Sequence, residues 1–238
     1  MRFVRNIRGA FGGLCADAMS VVAPRVCPIC GTVLTEAEEC LCGGCLSRLE
    51  YTGYENLPGN PMELRLEHIL GCPVPAMALL VYTHGQVSGR MVSAFKYSGE
   101  KDLAVYAGQM LGAALSGSGR FMGYDLLVPI PLHPRKWKQR GYNQAEEICG
   151  GMSGVCGLVV GDVLERTVFT QAQASLDKWE RLRNTRGIFA LKEGEPVTGK
   201  KVIVVDDVFT TGATVSAAAQ VLSDAGAAQV AVVCLCAG

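Results

Sequence analysis

The stretch that most limits what this chain can fold into is "KKVIVVDDVFTTGATVSAAAQVLSDAGAAQVAVVCLC", from Lys200 to Cys236. Val202, Ile203, Val204 and Val205 form an unbroken β-branched run, which suits a strand buried on both faces. The residues from Val215 to Ala225 read as a helix closed by Gly226, and "AQVAVVCLC" returns as a second apolar strand. Strand, helix and strand in that order imply a right-handed crossover, and so an α/β fold with a mainly parallel open sheet and helices on both faces. Ligands of such sheets bind beyond the carboxyl ends of the strands. Asp206, Asp207 and the loop after them are therefore the first place to look for function.

Upstream, the same alternation is weaker but present. "AMALLVYTHG" reads as a strand and turn, and the residues from Val87 to Gly119 as two helices broken at Ser98–Gly99. "YDLLVPIPL" reads as a strand stopped by prolines, "GYNQAEEICGGMSGV" as a helix and "GLVVGDVLER" as a strand region. Composition shifts at "APRVCPICG" and again at "ENLPGNPMEL", which divides the chain into residues 1–55 and residues 56–238. With 22 basic and 22 acidic residues there is no net charge, so nothing global draws the chain to nucleic acid or membrane and any basic site must be local. No run approaches the ~18 apolar residues of a membrane span. The N-terminus carries Arg2, Arg5 and Arg8 with no acid before Asp17, as a targeting peptide would, but it lacks an apolar core. Phe3, Ile7, Phe11, Leu14 and Ala18 fall at helical spacing, which favours an amphipathic helix packed on its own protein.

The smaller segment holds Cys27 and Cys30 at CxxC spacing and Cys42 and Cys45 at a second CxxC, with Cys40 as a spare. Four thiolates suit tetrahedral zinc, and a closed four-thiolate site staples a lobe rather than catalysing a reaction. Redox-active thiols or a partly lost site are the alternatives. Paired cysteines of this kind point to a reducing, cytoplasmic compartment.

The strand-to-helix turn "VFTTGAT" can cradle an anion, because its backbone amides and the positive end of the helix face one spot. Thr210, Thr211 and Thr214 add hydroxyl donors, while Gly212 and Ala213 let the backbone approach an oxyanion. It is neither a P-loop nor a GxGxxG loop. Asp206 and Asp207 would repel a bare phosphate, so they face something else, and a ribose diol offers the two donors that carboxylates accept. The whole string thus suits a ribose 5-phosphate, whereas "DD" alone would be read as a solvated acidic turn.

"VIVVDDVFTTGAT" resembles the phosphoribosyl pyrophosphate motif of type I phosphoribosyltransferases, and the chain at nearly full length resembles the ComF family. That resemblance rests also on the four cysteines, on "FKYSG" (Phe95 to Gly99), on "LVPIPLHPRKWKQRGYNQAEEI", and on a pattern containing Gln173, Leu176, Arg181, Asn184 and Phe189. It implies a zinc-ribbon lobe joined to a type I phosphoribosyltransferase fold, similar to amidophosphoribosyltransferases. The function it implies is binding of Mg²⁺-phosphoribosyl pyrophosphate in the service of DNA uptake, with single-stranded DNA and a DNA-uptake helicase as partners.

By the same resemblance Lys96 and Tyr97 belong to a pyrophosphate loop, and Arg135, Lys136, Lys138 and Arg140 to a mobile loop over the leaving group. Lys96, Arg135 and Arg140 are then the catalytic candidates. Read from the residues alone, "KYSG" is equally a surface turn. The basic loop, with Trp137 and Tyr142 interleaved, suits a polyphosphate, a single-stranded nucleic acid or plain solvent. Gln173 and Asn184 either line the acceptor side or hold a loop. Zn²⁺ is expected as a structural ion, and Mg²⁺ as an ion carried in with the sugar.

Overall fold

A computed structural model of the protein describes residues 24–167 and 187–238. The N-terminal residues at helical spacing and the segment holding Gln173, Leu176, Trp179, Arg181, Leu182 and Asn184 lie outside the described residues. In chain order the elements are α1 (Gly43–Leu46), a 3-10 turn (Tyr54–Asn56), α2 (Pro61–Leu70), β1 (Ala76–Val81), α3 (Val87–Tyr97) and α4 (Lys101–Ser118). They continue with β2 (Leu126–Pro129), α5 (Pro134–Arg140), α6 (Gln144–Cys156), β3 (Val159–Val160), β4 (Leu164–Arg166) and β5 (Phe189–Leu191). The last are β6 (Lys201–Phe209), α7 (Ala213–Asp224) and β7 (Gln229–Ala237).

The apolar run of β6 does what its composition requires: Val202, Ile203, Val204 and Val205 are each 0% exposed, which only a central strand covered on both faces achieves. β6 lies in a five-stranded sheet of order β1-β7-β6-β2-β3, and every pairing in it is parallel. Val202, Val204, Val232 and Cys234 share one face with Leu66 of α2 and Ala218 and Leu222 of α7. Ile203 and Val205 alternate to the other face, where α6 packs against β6 and β2.

α4 in turn packs on α6, and the two helices meet through glycines. A Cβ added at Gly108 would lie 2.1 Å from the Ile148 carbonyl oxygen, and one at Gly151 would lie 2.0 Å from that of Val105. The outer edge of β1 is covered by residues 50–52, which precede the 3-10 turn and α2 in the chain. Tyr51 bridges Leu80, the Thr52 amide donates to the Leu79 carbonyl and the Val81 amide to that of Glu50. These bonds tie residues 50–52 to the sheet, so the chain divides at Arg48 and Leu49, ahead of the boundary after Glu55 that composition suggested.

Connectivity fixes where a ligand can sit. After β2 the chain passes through α5 and α6 to β3 on one side, whereas after β6 it passes through α7 to β7 on the other. β2 and β6 are neighbours, so their chains leave the sheet in opposite directions and open a crevice at their carboxyl ends.

Two expectations need correction. "GLVVGDVLER" is two strands in different sheets: β3 joins the main sheet, while β4 pairs antiparallel with β5, whose Phe189 is buried in the core. The basic stretch after β2 is a short helix, α5, rather than a loop. Pro134 sits in its first turn, His133 Nδ1 accepts from the Arg135 amide at 3.2 Å, and Gly141 at φ +78° ends it.

Candidate functional site

At the end of β6, Asp206 and Asp207 line the same cleft, with an empty volume of about 630 Å³. The Asp207 amide donates to Asp206 Oδ1 at 2.9 Å, which fixes the first carboxylate against the strand. Asp207 is 8% exposed, and its Oδ1 accepts from Lys96 Nζ at 2.8 Å. Burial, and then the adjacent Asp207 charge, push the Asp206 carboxyl up to about 7; the Asp207 amide, Lys96 and Arg166 pull it back. Both acids, although largely buried, line the cleft.

Beyond the acids, residues Thr210 to Thr214 curve around a second hollow, with an empty volume of about 200 Å³, that shares Asp206 and Thr214 with the cleft. Gly212 holds φ +80° as the residue before α7, and the first intrahelical bond runs from the Ser216 amide to the Gly212 carbonyl. The amides of Ala213, Thr214 and Val215 therefore precede the helical ladder at the positive end of a 12-residue helix. Thr211 Oγ1 lies 3.4 Å from the Ala213 amide. The five residues of the expected phosphate loop, Thr210, Thr211, Gly212, Ala213 and Thr214, all line this hollow.

Of the expected cations, Lys96 and Arg140 line the cleft and Arg135 does not: it is exposed on α5. Helical spacing explains the sorting, since Lys136 and Arg140 are one turn apart and share the side that lines the cleft. Tyr97 is 73% exposed at the end of α3, with the Arg140 guanidinium 5.5 Å from its ring centroid, so it stands beside the cleft rather than in its lining. Tyr142 is buried, and its hydroxyl donates to the Phe95 carbonyl, which removes it as a stacking surface. Gln144 accepts from Arg140 Nη1 at 2.8 Å and donates to the same Phe95 carbonyl at 3.3 Å, tying α3 to the start of α6.

Sequence reasoning gave no role to Arg166, Asn143 or Gln144, all of which line the cleft. Arg166 comes from the small second sheet, with Phe189's ring centroid 5.6 Å from its guanidinium, and only the fold brings it to β6. Asn143 was legible as a helix cap: its side chain accepts from the Ala145 amide at 3.1 Å and donates to the Ile130 carbonyl at 3.0 Å.

The paired cysteines form one cluster. The sulfurs of Cys27, Cys30, Cys42 and Cys45 all lie within 4.8 Å of one another, and Cys40 is not among them. Tetrahedral zinc with Zn–S near 2.3 Å places its sulfurs about 3.8 Å apart, so the donor set and spacing fit that ion. Thr32 pulls the Cys30 thiol down to about 6, whereas burial pushes Cys45 up to about 12. Glu38 joins the two knuckles, accepting from the Thr35 amide at 2.8 Å and the Gly43 amide at 2.6 Å. Chelation, or Cys45→Ser, is expected to make the segment around Cys27–Cys45 sensitive to protease while the thermal transition of residues 49–238 stays in place. Limited proteolysis with calorimetry checks both halves of that outcome.

Comparison with known proteins agrees with this geometry. A phosphoribosyl transferase domain model matches residues 165–238, which include Asp206, Asp207 and the threonine-glycine loop. The chain is 31% identical over 223 residues to Competence protein ComFC of Streptococcus pneumoniae, a match that covers 86% of this chain and 96% of the relative. The chain belongs to the ComF family. Its larger unit has the type I phosphoribosyltransferase fold, and the four-cysteine cluster fits the zinc-ribbon lobe of that family. A second relative, DNA utilization protein YhgH of Escherichia coli K12, is 29% identical over 228 residues, covering 94% of this chain and 95% of that protein. Among solved structures, the chain is similar to glutamine phosphoribosylpyrophosphate amidotransferase from B. subtilis at 18% identity and a TM-score of 0.43. That likeness covers 60% of this chain and 30% of the amidotransferase chain. Among the described residues of this ComF-family chain, no helix is long and apolar enough to cross a membrane.

Proposed function

We propose that the cleft at the carboxyl ends of β2 and β6 binds Mg²⁺-phosphoribosyl pyrophosphate, and that this ComF-family chain acts in the cytoplasm in DNA uptake or DNA utilisation. The observation that carries the reading is the continuity of two sites: a carboxylate pair on the cleft wall, and a hollow of helix N-terminal amides that shares Asp206 and Thr214 with it. Carboxylates accept from the ribose diol, and the amides and threonine hydroxyls donate to the 5′-phosphate. Lys96, Lys136, Arg140 and Arg166 give the same cleft the positive charge that a pyrophosphate needs. Transfer, where an acceptor is present, breaks the bond between C1 and the pyrophosphate oxygen and forms one from C1 to the nucleophile. Pyrophosphate then leaves with its electron pair onto these cations. Mg²⁺ enters with the pyrophosphate and offsets part of its charge. The names of the relatives support the link to DNA.

Titration of Mg²⁺-phosphoribosyl pyrophosphate into wild type, Asp206→Asn and Asp207→Asn tests the site. Each variant removes a charged acceptor and is expected to bind at least about tenfold more weakly, since hydrogen bonds to charged groups contribute ~1.5–3 kcal/mol. With the Asp206 carboxyl at about 7, the protonated form prevails below that pH and cannot accept twice from the diol. The Asp206 carboxyl is therefore expected to add about a tenfold rise in wild-type affinity between pH 6 and pH 8 to that from ionisation of the ligand's own phosphates, and only this added rise should vanish in Asp206→Asn. Equal binding by all three proteins would remove the assignment.

One observation favours a second reading, a non-catalytic single-stranded-nucleic-acid accessory. Arg135, Trp137 and Lys138 are exposed on α5 and do not line the cleft, so the helix offers cations and an aromatic ring to a second ligand. A single-stranded oligonucleotide added to the same titration separates the two readings. Simultaneous binding of oligonucleotide and sugar without pyrophosphate release favours the accessory, with the sugar site as its sensor.

A further inference from the structure

Lys96 and Asp207 are 111 residues apart in sequence and 2.8 Å apart in the cleft, with side chains 21% and 12% exposed. The lysine thus already holds one oxygen of a carboxylate that the ribose diol is to use. Its backbone is anchored in the last turn of α3, where the carbonyl of the residue before it, Phe95, accepts from Tyr142 and Gln144. The other anion among the described residues lining the cleft is Asp206, which the same diol engages, and the remaining ionisable side chains, Lys136, Arg140 and Arg166, are cations. A ligand that takes Asp207 from Lys96 leaves a partly buried ammonium among like charges, unless the ligand brings an anion of its own.

We propose that Lys96 is a specificity-determining residue: by pairing with Asp207 in the free protein it blocks sugar phosphates that lack a pyrophosphate, and it passes to the pyrophosphate of those that carry one. This inference rests on the sugar-site reading above. Ribose 5-phosphate, which offers the diol and the 5′-phosphate, must break the pair without replacing it. Phosphoribosyl pyrophosphate breaks the same pair and supplies the exchange partner. Selectivity then comes from a contact that works against the wrong ligand as well as one that favours the right one.

Dissociation constants for ribose 5-phosphate and for Mg²⁺-phosphoribosyl pyrophosphate, measured on wild type, Lys96→Met and Lys96→Arg, test the filter. Lys200→Met serves as a control that removes an equal charge at the amino end of β6. Lys96→Met is expected to lose about tenfold or more for the pyrophosphate sugar, the effect of removing one charge-assisted contact, while gaining a few-fold for ribose 5-phosphate. Lys96→Arg keeps the cation and should retain the wild-type preference, and Lys200→Met should match wild type. Changes of opposite sign cannot come from misfolding, which weakens both ligands together. Parallel weakening in Lys96→Met, or no change, overturns the filter while leaving the sugar site standing. Failure of every protein, Lys96→Met included, to bind either sugar overturns the sugar-site reading and the filter with it. Ribose 5-phosphate binding that emerges only in Lys96→Met upholds both.

Discussion

Gly151→Val is expected to destabilise the larger unit strongly. The Cβ of any side chain at this position would lie 2.0 Å from the Val105 carbonyl oxygen and 2.9 Å from the Gln109 amide nitrogen, both backbone atoms of α4. No rotamer change relieves a clash with backbone, so α4 and α6 must separate and lose the contacts that glycine permits. Overpacking of this kind costs about 3 kcal/mol or more, which in a domain of this size lowers Tm by roughly 10 °C. Gly154→Ala, three residues along the same helix and with open space around it, is the matched control. It is expected to raise stability by about 0.5–1 kcal/mol through helix propensity alone. Thermal melts of the two variants measure both. Because Asn143 and Gln144 enter the cleft from the start of α6, the Gly151 variant should also bind phosphoribosyl pyrophosphate less well.

That close helix contact was not legible in the sequence, and the reason is general. "GMSGV" reads as a helix with poor propensity, and nothing local distinguishes Gly151, packed on α4, from Gly150 or Gly154, which face open space. What was legible is the unit from β6 to β7, because there every local preference agrees with the burial that results: a β-branched run, a glycine at positive φ, an alanine-rich helix and a second apolar run. The turn carries its residues consecutively, so the hollow lined by Thr210 to Thr214 could be read without coordinates. The cation-lined side of the cleft could not, because its residues come from α3, α5, α6 and β4. Treating "HPRKWKQRG" as a loop set Arg135 beside Arg140 as a catalytic candidate and left Lys136 out. As a helix it separates Lys136 and Arg140, which line the cleft, from Arg135 and Lys138, which do not. The signals for that helix, His133 and Pro134 at its start and Gly141 at its end, were all present, but the charge of the stretch drew attention to its ligand rather than its caps. Lys96 illustrates the other limit. The family resemblance marked it as a ligand for pyrophosphate, yet only the tertiary fold shows that its ammonium pairs with Asp207.

Gly212→Val is expected to abolish sugar-phosphate binding while leaving most of the fold intact. Gly212 stands at φ +80°, a conformation that side-chain-bearing residues rarely adopt, and a β-branched residue least of all. An added Cβ would also lie 3.0 Å from Phe209 Cζ and 3.4 Å from Ile69 Cδ1, so neither the turn nor its neighbours can absorb it without shifting. The strained backbone costs about 1–3 kcal/mol, which the larger unit, with its central strands fully buried, is expected to survive. Binding is more sensitive, because the amides of Ala213 to Val215 must converge on one anion, and a turn that relaxes to negative φ redirects them. Affinity for phosphoribosyl pyrophosphate is expected to fall by about 100-fold or more, the equivalent of ~3 kcal/mol lost from several charge-assisted bonds at once. Inorganic phosphate should lose its site too, whereas Asp206→Asn should spare phosphate and lose only the sugar. Measuring both anions on both variants therefore separates the two halves of the cleft. Phosphate affinity unchanged in Gly212→Val would show that the anion is held elsewhere, by the cations of α3, α5 and β4.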